Sequence, residues 1–467
     1  MKSNRRDFLK YTGMAGVGIA GNGIFGGSYA PNTPDSKQHN QQFNMSGYAA
    51  PKLETVRIGV IGLGNRGSGA LRRLSRIEGA EIKAICDLVP AKVRAGINSL
   101  KETFHTPDTY SGGENEWKKL CEREDIDLVY ICTPWEYHTP MAVYAMETDN
   151  HAATEIPAAK TIDECWQLVE TSERTRKHCM MLENVCYDFF EMVTLNMARQ
   201  GFFGEIIHGE GAYIHDLMGM NFNKDTYEDM WRLKENANRN GNLYAQHGLG
   251  PIAQLMNLNH GDQMDYMVSV SSNDFMMGDR AKELASEDDF WEPFVNKSYR
   301  GNINTSTIRT KKGKTIMLQH DVTSPRPYSR LHLVSGTKGI AKKYPSPSRI
   351  AISHTGWVSD EEFKALEEEY TPEIVKRIGA MARQVGGHGG MDTIMDWRLI
   401  DCLRNGIPLD MNVYDAALWS SIGPLSEWSV ANRSGSIDVP DFTLGAWETN
   451  NPGMDMDLIK GGTTKII

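Results

Sequence analysis

The β-branched run Val56–Ile61 opens directly into Gly62-Leu63-Gly64-Asn65-Arg66-Gly67, and Asp87 follows 20 residues after the last of these glycines. No other feature of the chain restricts its fold as tightly. A strand that turns through three glycines into a helix brings backbone close to a ligand, and the helix N-terminus turns unpaired N–H groups toward an anion. An acidic residue closing the next strand accepts ribose hydroxyls and repels a 2′-phosphate. The loop therefore reads as a dinucleotide site that favours NAD, held by Gly62, Gly64, Gly67 and Asp87. On this loop alone, NADP, FAD or a glycine turn that binds nothing stay open.

The flanking pattern supports the first reading. A helix over residues 68–76, a strand over 80–86 and a third parallel strand over 126–133 alternate, followed by helices over 140–146 and Ile162–Thr175. Alternation of this kind gives a doubly wound parallel sheet, here a Rossmann domain over residues 55–180. Such sheets bind ligands beyond the carboxyl ends of their strands. Thr133-Pro134-Trp135-Glu136-Tyr137-His138 lies at one such end, Glu155 at the next, and Glu183-Asn184 at another.

Past residue 180 the pattern changes. A helix over 189–200 leads to strand-like runs over 206–213, 266–272, Ile303–Thr310, 315–323 and 331–336, and a helix follows near 390–404. This predicts a substrate-binding α+β domain over 181–467 with a mostly antiparallel, open sheet whose face covers the nicotinamide.

Composition narrows the partners. The net charge of −10 and the lack of basic clusters argue against nucleic acid. The seven cysteines form no Cys-x-x-Cys pair and sit in apolar runs, so they read as small core residues. The 13 histidines show no metal spacing, and no metal is expected.

At the N-terminus, Asn4-Arg5-Arg6-Asp7-Phe8-Leu9-Lys10 precedes a weakly apolar, glycine-rich stretch over 11–29. Residues 1–30 read as a twin-arginine export signal, and 31–54, rich in Asn, Gln, Ser and Pro, as a flexible linker. A periplasmic or exported protein is expected, with no stable membrane insertion once the signal is removed. A homo-oligomer is also expected. Twin-arginine cargo crosses folded, so a buried dinucleotide would be acquired before export.

This layout resembles the Gfo/Idh/MocA oxidoreductase superfamily over nearly the whole mature chain. Two departures separate it from the sugar dehydrogenases there. Their Glu-Lys-Pro, with lysine on the reacting hydroxyl, is replaced by Glu155-Ile156-Pro157. Their Asp/His pair falls on Asn242-Leu243-Tyr244-Ala245-Gln246-His247-Gly248, with His247 where the aspartate usually stands.

A closer resemblance is to glycoside hydrolase family 109, the NAD-dependent α-N-acetylgalactosaminidases. It rests on Pro134-Trp135-Glu136-Tyr137-His138, Leu182-Glu183-Asn184-Val185-Cys186-Tyr187, Gly201-Phe202-Phe203-Gly204-Glu205 and Tyr213-Ile214-His215-Asp216-Leu217. It rests equally on Asn238-Arg239-Asn240-Gly241, His320-Asp321, Arg326-Pro327-Tyr328 and Gly387-His388-Gly389-Gly390-Met391-Asp392. The resemblance implies that Asn65, Arg66, Asp87, Trp135, Glu136, Tyr137, His138, Glu155, Ile156 and Asn184 line NAD. It implies that Tyr213, Arg232, Tyr244, Ala245, Gln246, His247 and Tyr328 line the sugar of a glycan.

The chemistry implied is a closed redox cycle, an exception to two-carboxylate hydrolysis. Oxidation at sugar C3 acidifies C2–H, the C1 leaving group is eliminated, water adds at C1, and C3 is reduced again. His247 is the first candidate for base at the C3 hydroxyl, because neutral imidazole titrates near working pH. Tyr187 is expected near the reacting centre as acid or base, and Tyr187 and Tyr328 as donors to the ketone or enolate oxygen. Two other readings remain at this point. A sugar dehydrogenase would accumulate NADH, and a sugar-binding protein with a vestigial cofactor would turn nothing over.

Overall fold

The computed structural model describes residues 39–467; the expected export signal and the first part of the expected linker lie outside the described residues. The first sheet is built from β1 (Val56–Ile61), β2 (Ala80–Asp87), β3 (Asp108–Ser111), β4 (Leu128–Ile131), β5 (His151–Thr154) and β6 (Cys179–Met181). All neighbours run parallel, in the order β3-β2-β1-β4-β5-β6. The reversal of order beside β1 opens the crevice in which such sheets bind dinucleotides. β4 and β5 are buried along their whole length, and β4 accordingly reads as an unbroken apolar run. The edge strand β3 is polar and mostly exposed, so no apolar pattern announced it.

Helices α1 (Asn65–Leu74), α2 (His138–Glu147) and α3 (Ile162–Thr175) connect these strands. α1 begins at Asn65 rather than at 68, so Asn65, Arg66 and Gly67 form its first turn and Gly64 is the N-cap. α3 matches its expected bounds because both ends are written locally. Thr161 accepts Glu164 N–H at 3.1 Å, Glu164 returns the bond to Thr161 N–H at 3.0 Å, and Arg176 turns left-handed at φ 53°.

The second sheet has eight strands in the order β13-β12-β11-β7-β10-β9-β8-β14. They are β7 (Ile206–Ile214), β8 (Met264–Ser271), β9 (Ile303–Thr310), β10 (Thr315–Asp321), β11 (Ser329–Gly336), β12 (Ile340–Lys342), β13 (Arg349–Ala351) and β14 (Ile437–Asp438). Every pair is antiparallel except β7 with β10, which sets His320 beside Tyr213.

Helices α4 (Phe189–Arg199), α5 (Gln246–Leu255), α6 (Met391–Asn405) and α7 (Val413–Ala431) complete the core. α5 packs on β7, and α6 returns to α1 and β1. α7 packs on α3, β6 and β8, so the second half of the chain supplies helices to both sheets, and the described residues fall in one compact unit.

The described part of the expected linker is packed, not free. His39 stacks on Trp166 at 3.8 Å, Gln42 N–H donates to Glu173 at 2.7 Å, and Met45 N–H donates to the Tyr414 hydroxyl at 3.1 Å. Its anchors, Phe43, Met45, Tyr48 and Ala50, are few and mostly separated by polar or glycine residues, so they make no long apolar run. The seven cysteines are free thiols, six buried and Cys132 partly so, as small core residues are. Among the described residues, no helix is long and apolar enough to cross a membrane.

Candidate active site

At the glycine loop each glycine has its own reason. Gly62 sits at φ +87°, and a Cβ there would stand 2.7 Å from the Cys132 carbonyl carbon at the end of β4. A Cβ on Gly67 would lie 1.8 Å from Gly62 O, whereas one on Gly64 would meet nothing within 4 Å. Gly64 therefore faces open space at the N-terminus of α1. That terminus has no side-chain cap and no acidic residue in its first turn. An uncapped N-terminus beside an open glycine fits a pyrophosphate. Asp87 completes the fit. Its two oxygens accept Leu63 N–H at 2.7 Å and Val89 N–H at 2.8 Å, fixing the carboxylate beside the loop where a ribose would lie.

Next to the loop, Arg66 donates to Glu155 at 2.7 Å and to Asp392 at 3.1 Å, with His388 Nδ1 at 3.2 Å. Asp392 also accepts from Asn184 and lies 3.5 Å from Arg73. Burial pushes the Asp392 carboxyl up. The His388 hydrogen bond and the guanidinium groups of Arg66 and Arg73 outweigh burial and hold it far below the usual range. Arg66 and Glu155, expected around the cofactor, thus pair directly, and Asp392, which had no expected role, joins Arg66 to Asn184.

Trp135 carries the site from the first sheet toward the second. It stacks on Tyr244 at 5.5 Å with the rings 18° apart. Arg232 lies 5.0 Å from the Tyr244 ring and 5.7 Å from the Trp135 ring, and donates to the Tyr227 hydroxyl at 3.1 Å. No carboxylate among the described residues forms an ion pair with Arg232, so aromatic faces are its charge partners.

His247 stands in the first turn of α5. Two glycines bring that turn onto β7: a Cβ on Gly211 would lie 2.2 Å from Gly248 O, and one on Gly248 would lie 2.3 Å from Ala212 N. The close approach puts the His247 ring 5.3 Å from Tyr213 and 5.2 Å from Tyr244. His247 Nδ1 lies 2.8 Å from Glu183 Oε1, and the imidazole keeps 15 % of its surface open. The Tyr213 hydroxyl bonds to His215 Nδ1 at 2.9 Å, and the His215 ring lies 5.0 Å from Tyr328. Burial pushes the Tyr213 phenol up to about 12 and the Tyr244 phenol well above the ordinary value. Burial also raises Tyr328, with Arg330 opposing it. These phenols stay protonated at neutral pH and are donors.

Residues 187–449 match the family model for the glycosyl hydrolase 109 C-terminal domain, and residues 56–183 match that of the oxidoreductase family with an NAD-binding Rossmann fold. The chain is 49 % identical over 425 residues to an alpha-N-acetylgalactosaminidase of Bacteroides fragilis, covering 89 % of this chain and 99 % of that one. It is 45 % identical over 461 residues to a glycosyl hydrolase family 109 protein of Shewanella pealeana, covering 97 % and 99 %.

This chain belongs to glycosyl hydrolase family 109.

Its architecture is also that of levoglucosan dehydrogenase in complex with NADH and L-sorbose. The TM-score is 0.63 at 16 % identity, covering 83 % of this chain and 100 % of that one, so the likeness is one of fold. Scyllo-inositol dehydrogenase from Lactobacillus casei with bound NAD(H) and scyllo-inositol gives a TM-score of 0.59 at 14 % identity, covering 82 % and 99 %. This family 109 protein is an NAD-dependent glycoside hydrolase.

The candidate site gathers His247, Tyr213, Arg232 and Tyr244, with Tyr328 on its exposed rim. Five expected residues stand elsewhere. Tyr187 is fully buried and donates to Asp410 at 3.2 Å, inside a core cluster with Arg398, so it is not an acid or base of this site. His138 is 1 % exposed, with ring nitrogens 2.7 Å from Pro157 O and 2.8 Å from Thr133 O. It braces the two strand ends rather than lining the cofactor, and burial lowers its pKa. Gln246 and Ala245 turn into the core, Gln246 donating to Trp419 O at 3.2 Å. Their side chains present no surface to a sugar. Ile156 is also buried, and its side chain carries no amine.

Sequence reasoning missed Glu183 as the partner of His247, Asp392 as the centre of the Arg66 network, and His215 between Tyr213 and Tyr328. Glu183 and Asp392 lie within the strings quoted for the family, but the strings do not show what each residue faces.

Proposed function

We propose that this enzyme releases terminal α-linked N-acetylgalactosamine from glycans through oxidation at C3, elimination, addition of water and reduction at C3. One observation carries the reading. The His247, Tyr213, Tyr244 and Arg232 cluster abuts the cofactor edge through Trp135, while the position of the dehydrogenase lysine holds the buried Ile156. The Bacteroides fragilis relative, named for this activity, is similar over 99 % of its length.

The loop of Gly62, Gly64 and Gly67 with Asp87 would hold NAD, which would supply the hydride acceptor and donor that chemistry at C3 needs. The residues do the rest. His247 Nε2 takes the C3 hydroxyl proton as the C3 hydrogen leaves as hydride. The phenols of Tyr213 and Tyr328 donate to the C3 oxygen, whose negative charge grows when the C2 proton is removed. The C1–O bond then breaks, with a proton going to the leaving group. Water adds its hydroxyl to C1 as a proton returns to C2, and when C3 is reduced again His247 Nε2 gives its proton back to the C3 oxygen, so the net reaction is hydrolysis. Arg232 holds the acetamido or hydroxyl oxygens.

The test is incubation of the purified protein, without added NAD, with aryl α-N-acetylgalactosaminide and a panel of α- and β-glycosides. Aryl release from the first substrate is expected. No release from any of them sinks the proposal. Net NADH formation with free sugars would favour a dehydrogenase instead. Export through the paired arginines Arg5 and Arg6 is part of the same proposal, since it requires a cofactor that is retained rather than exchanged.

A further inference from the structure

His247 is held from beneath by a residue the proposed reaction has not used. Glu183 is the N-cap of the short helix Asn184–Tyr187, and its side chain is fully buried. Oε1 accepts Val185 N–H at 2.9 Å and lies 2.8 Å from His247 Nδ1. An oxygen that accepts a backbone N–H in this way receives the imidazole proton instead of giving one. Nδ1 therefore carries hydrogen, and Nε2 of the neutral ring carries the lone pair. Room for this contact is built into α5. Gly250, one turn past His247, would place a Cβ 2.9 Å from Glu183 Cγ and 2.9 Å from Cys186 Sγ. Any larger residue there displaces the carboxylate from beneath the histidine.

Three groups surround His247 besides Glu183. The rings of Tyr213 and Tyr244 pack on it, and His215 bonds to Tyr213 on its far side. Glu183 is the only carboxylate hydrogen-bonded to His247 among the described residues.

We infer that Glu183 is a positioning residue that fixes His247 as the Nδ1–H tautomer and so presents Nε2 as the base at the sugar C3 hydroxyl. The inference rests on the proposed role of His247. Glu183 touches neither sugar nor cofactor in this account. It acts by orienting the imidazole and by stabilising the imidazolium that forms when the proton is taken, as an acidic partner does in hydrolytic triads.

The experiment compares wild type with Glu183→Gln and Glu183→Asp as holoenzymes, on aryl α-N-acetylgalactosaminide. The glutamine keeps the volume and an acceptor for Val185 N–H but removes the charge. Expected for it is a kcat lower by about 10²–10⁴-fold with KM nearly unchanged, and with melting temperature and bound NAD as in wild type. The aspartate keeps the charge with shorter reach, and intermediate activity is expected. In a His247→Ala background Glu183→Gln should cost nothing further, because its effect passes through that histidine.

A second readout needs no turnover. In ¹⁵N spectra, the His247 imidazole of wild type should show a protonated Nδ1 and a bare Nε2, and Glu183→Gln should mix the tautomers. Wild-type kcat in Glu183→Gln would overturn the inference. So would an equal loss in the His247→Ala background, or a proton on Nε2 in wild type. Should wild type cleave no glycoside, the proposed function fails while the tautomer measurement still decides the role of Glu183.

Discussion

Gly64 and Gly67 stand three residues apart, and their substitution separates binding from folding. At Gly67 an alanine Cβ would lie 1.8 Å from Gly62 O, a backbone atom with nowhere to move. Gly67→Ala should cost at least the roughly 1–3 kcal/mol of ordinary overpacking, read as a lower urea midpoint. At Gly64 the backbone is at φ −71° and the Cβ direction is open, so Gly64→Ala should fold with an unchanged apo melting temperature. It should nevertheless purify without NAD, because its methyl takes the space of the pyrophosphate. Retained NAD in Gly64→Ala would contradict this account of the loop. His247→Ala should keep NAD and lose about 10²–10⁴-fold in kcat, the range for a general base. At this scale the loop was legible because its glycine spacing falls between a strand and a helix, with Asp87 closing the next strand. The pairing of His247 with Glu183, 64 residues apart, leaves no local pattern, and Tyr187 lay in the right string but faces the core.

The element that positions the chemistry, α5, is the one whose sequence hides it. Gly248, Gly250 and Pro251 fall within its ten residues, and these are helix breakers by propensity. They are there for packing: the two glycines admit β7 on one side and Glu183 on the other. In an exposed helix Gly→Ala gains about 1 kcal/mol. Gly248→Ala should do the reverse, lowering the urea midpoint and kcat together, because its Cβ would stand 2.3 Å from Ala212 N. A stabilised, fully active variant would show that the helix does not seat against β7 as described. α7 escaped notice for another reason. It is buried on nearly all sides, so it has no polar face to mark a helical period, although Asn412 and Asp415 form a capping box at its start. By contrast α3 and β9 carry their boundaries in local residues and were read to the residue.

For the molecule as a whole, buried histidines set the acid limit. Burial lowers His332 to about 4 and His151 to about 3 from the ordinary 6.5, and it also depresses His138, His178 and His320. The unfolded chain then binds more protons than the fold between pH 6.5 and about 4, so stability is full above that window and falls as pH drops through it. Each such histidine contributes up to about 1.4 kcal/mol per pH unit there. Burial lowers His260 too, but Asp415 outweighs it and raises the group, so His260 works in the opposite direction. Urea midpoints should fall steadily between about pH 7 and about pH 5, and a flat profile would contradict burial of the neutral rings.

The central claim is that one bound NAD is recycled within each hydrolytic turnover, and turnover in D₂O tests it most directly. The purified holoenzyme, without added NAD, is given aryl α-N-acetylgalactosaminide, and the released sugar is analysed by mass and NMR while NADH absorbance is followed. Removal and return of the C2 proton predict one deuterium at C2, with no net NADH. A released sugar that keeps its C2 protium, or NADH rising with product, would contradict the cycle.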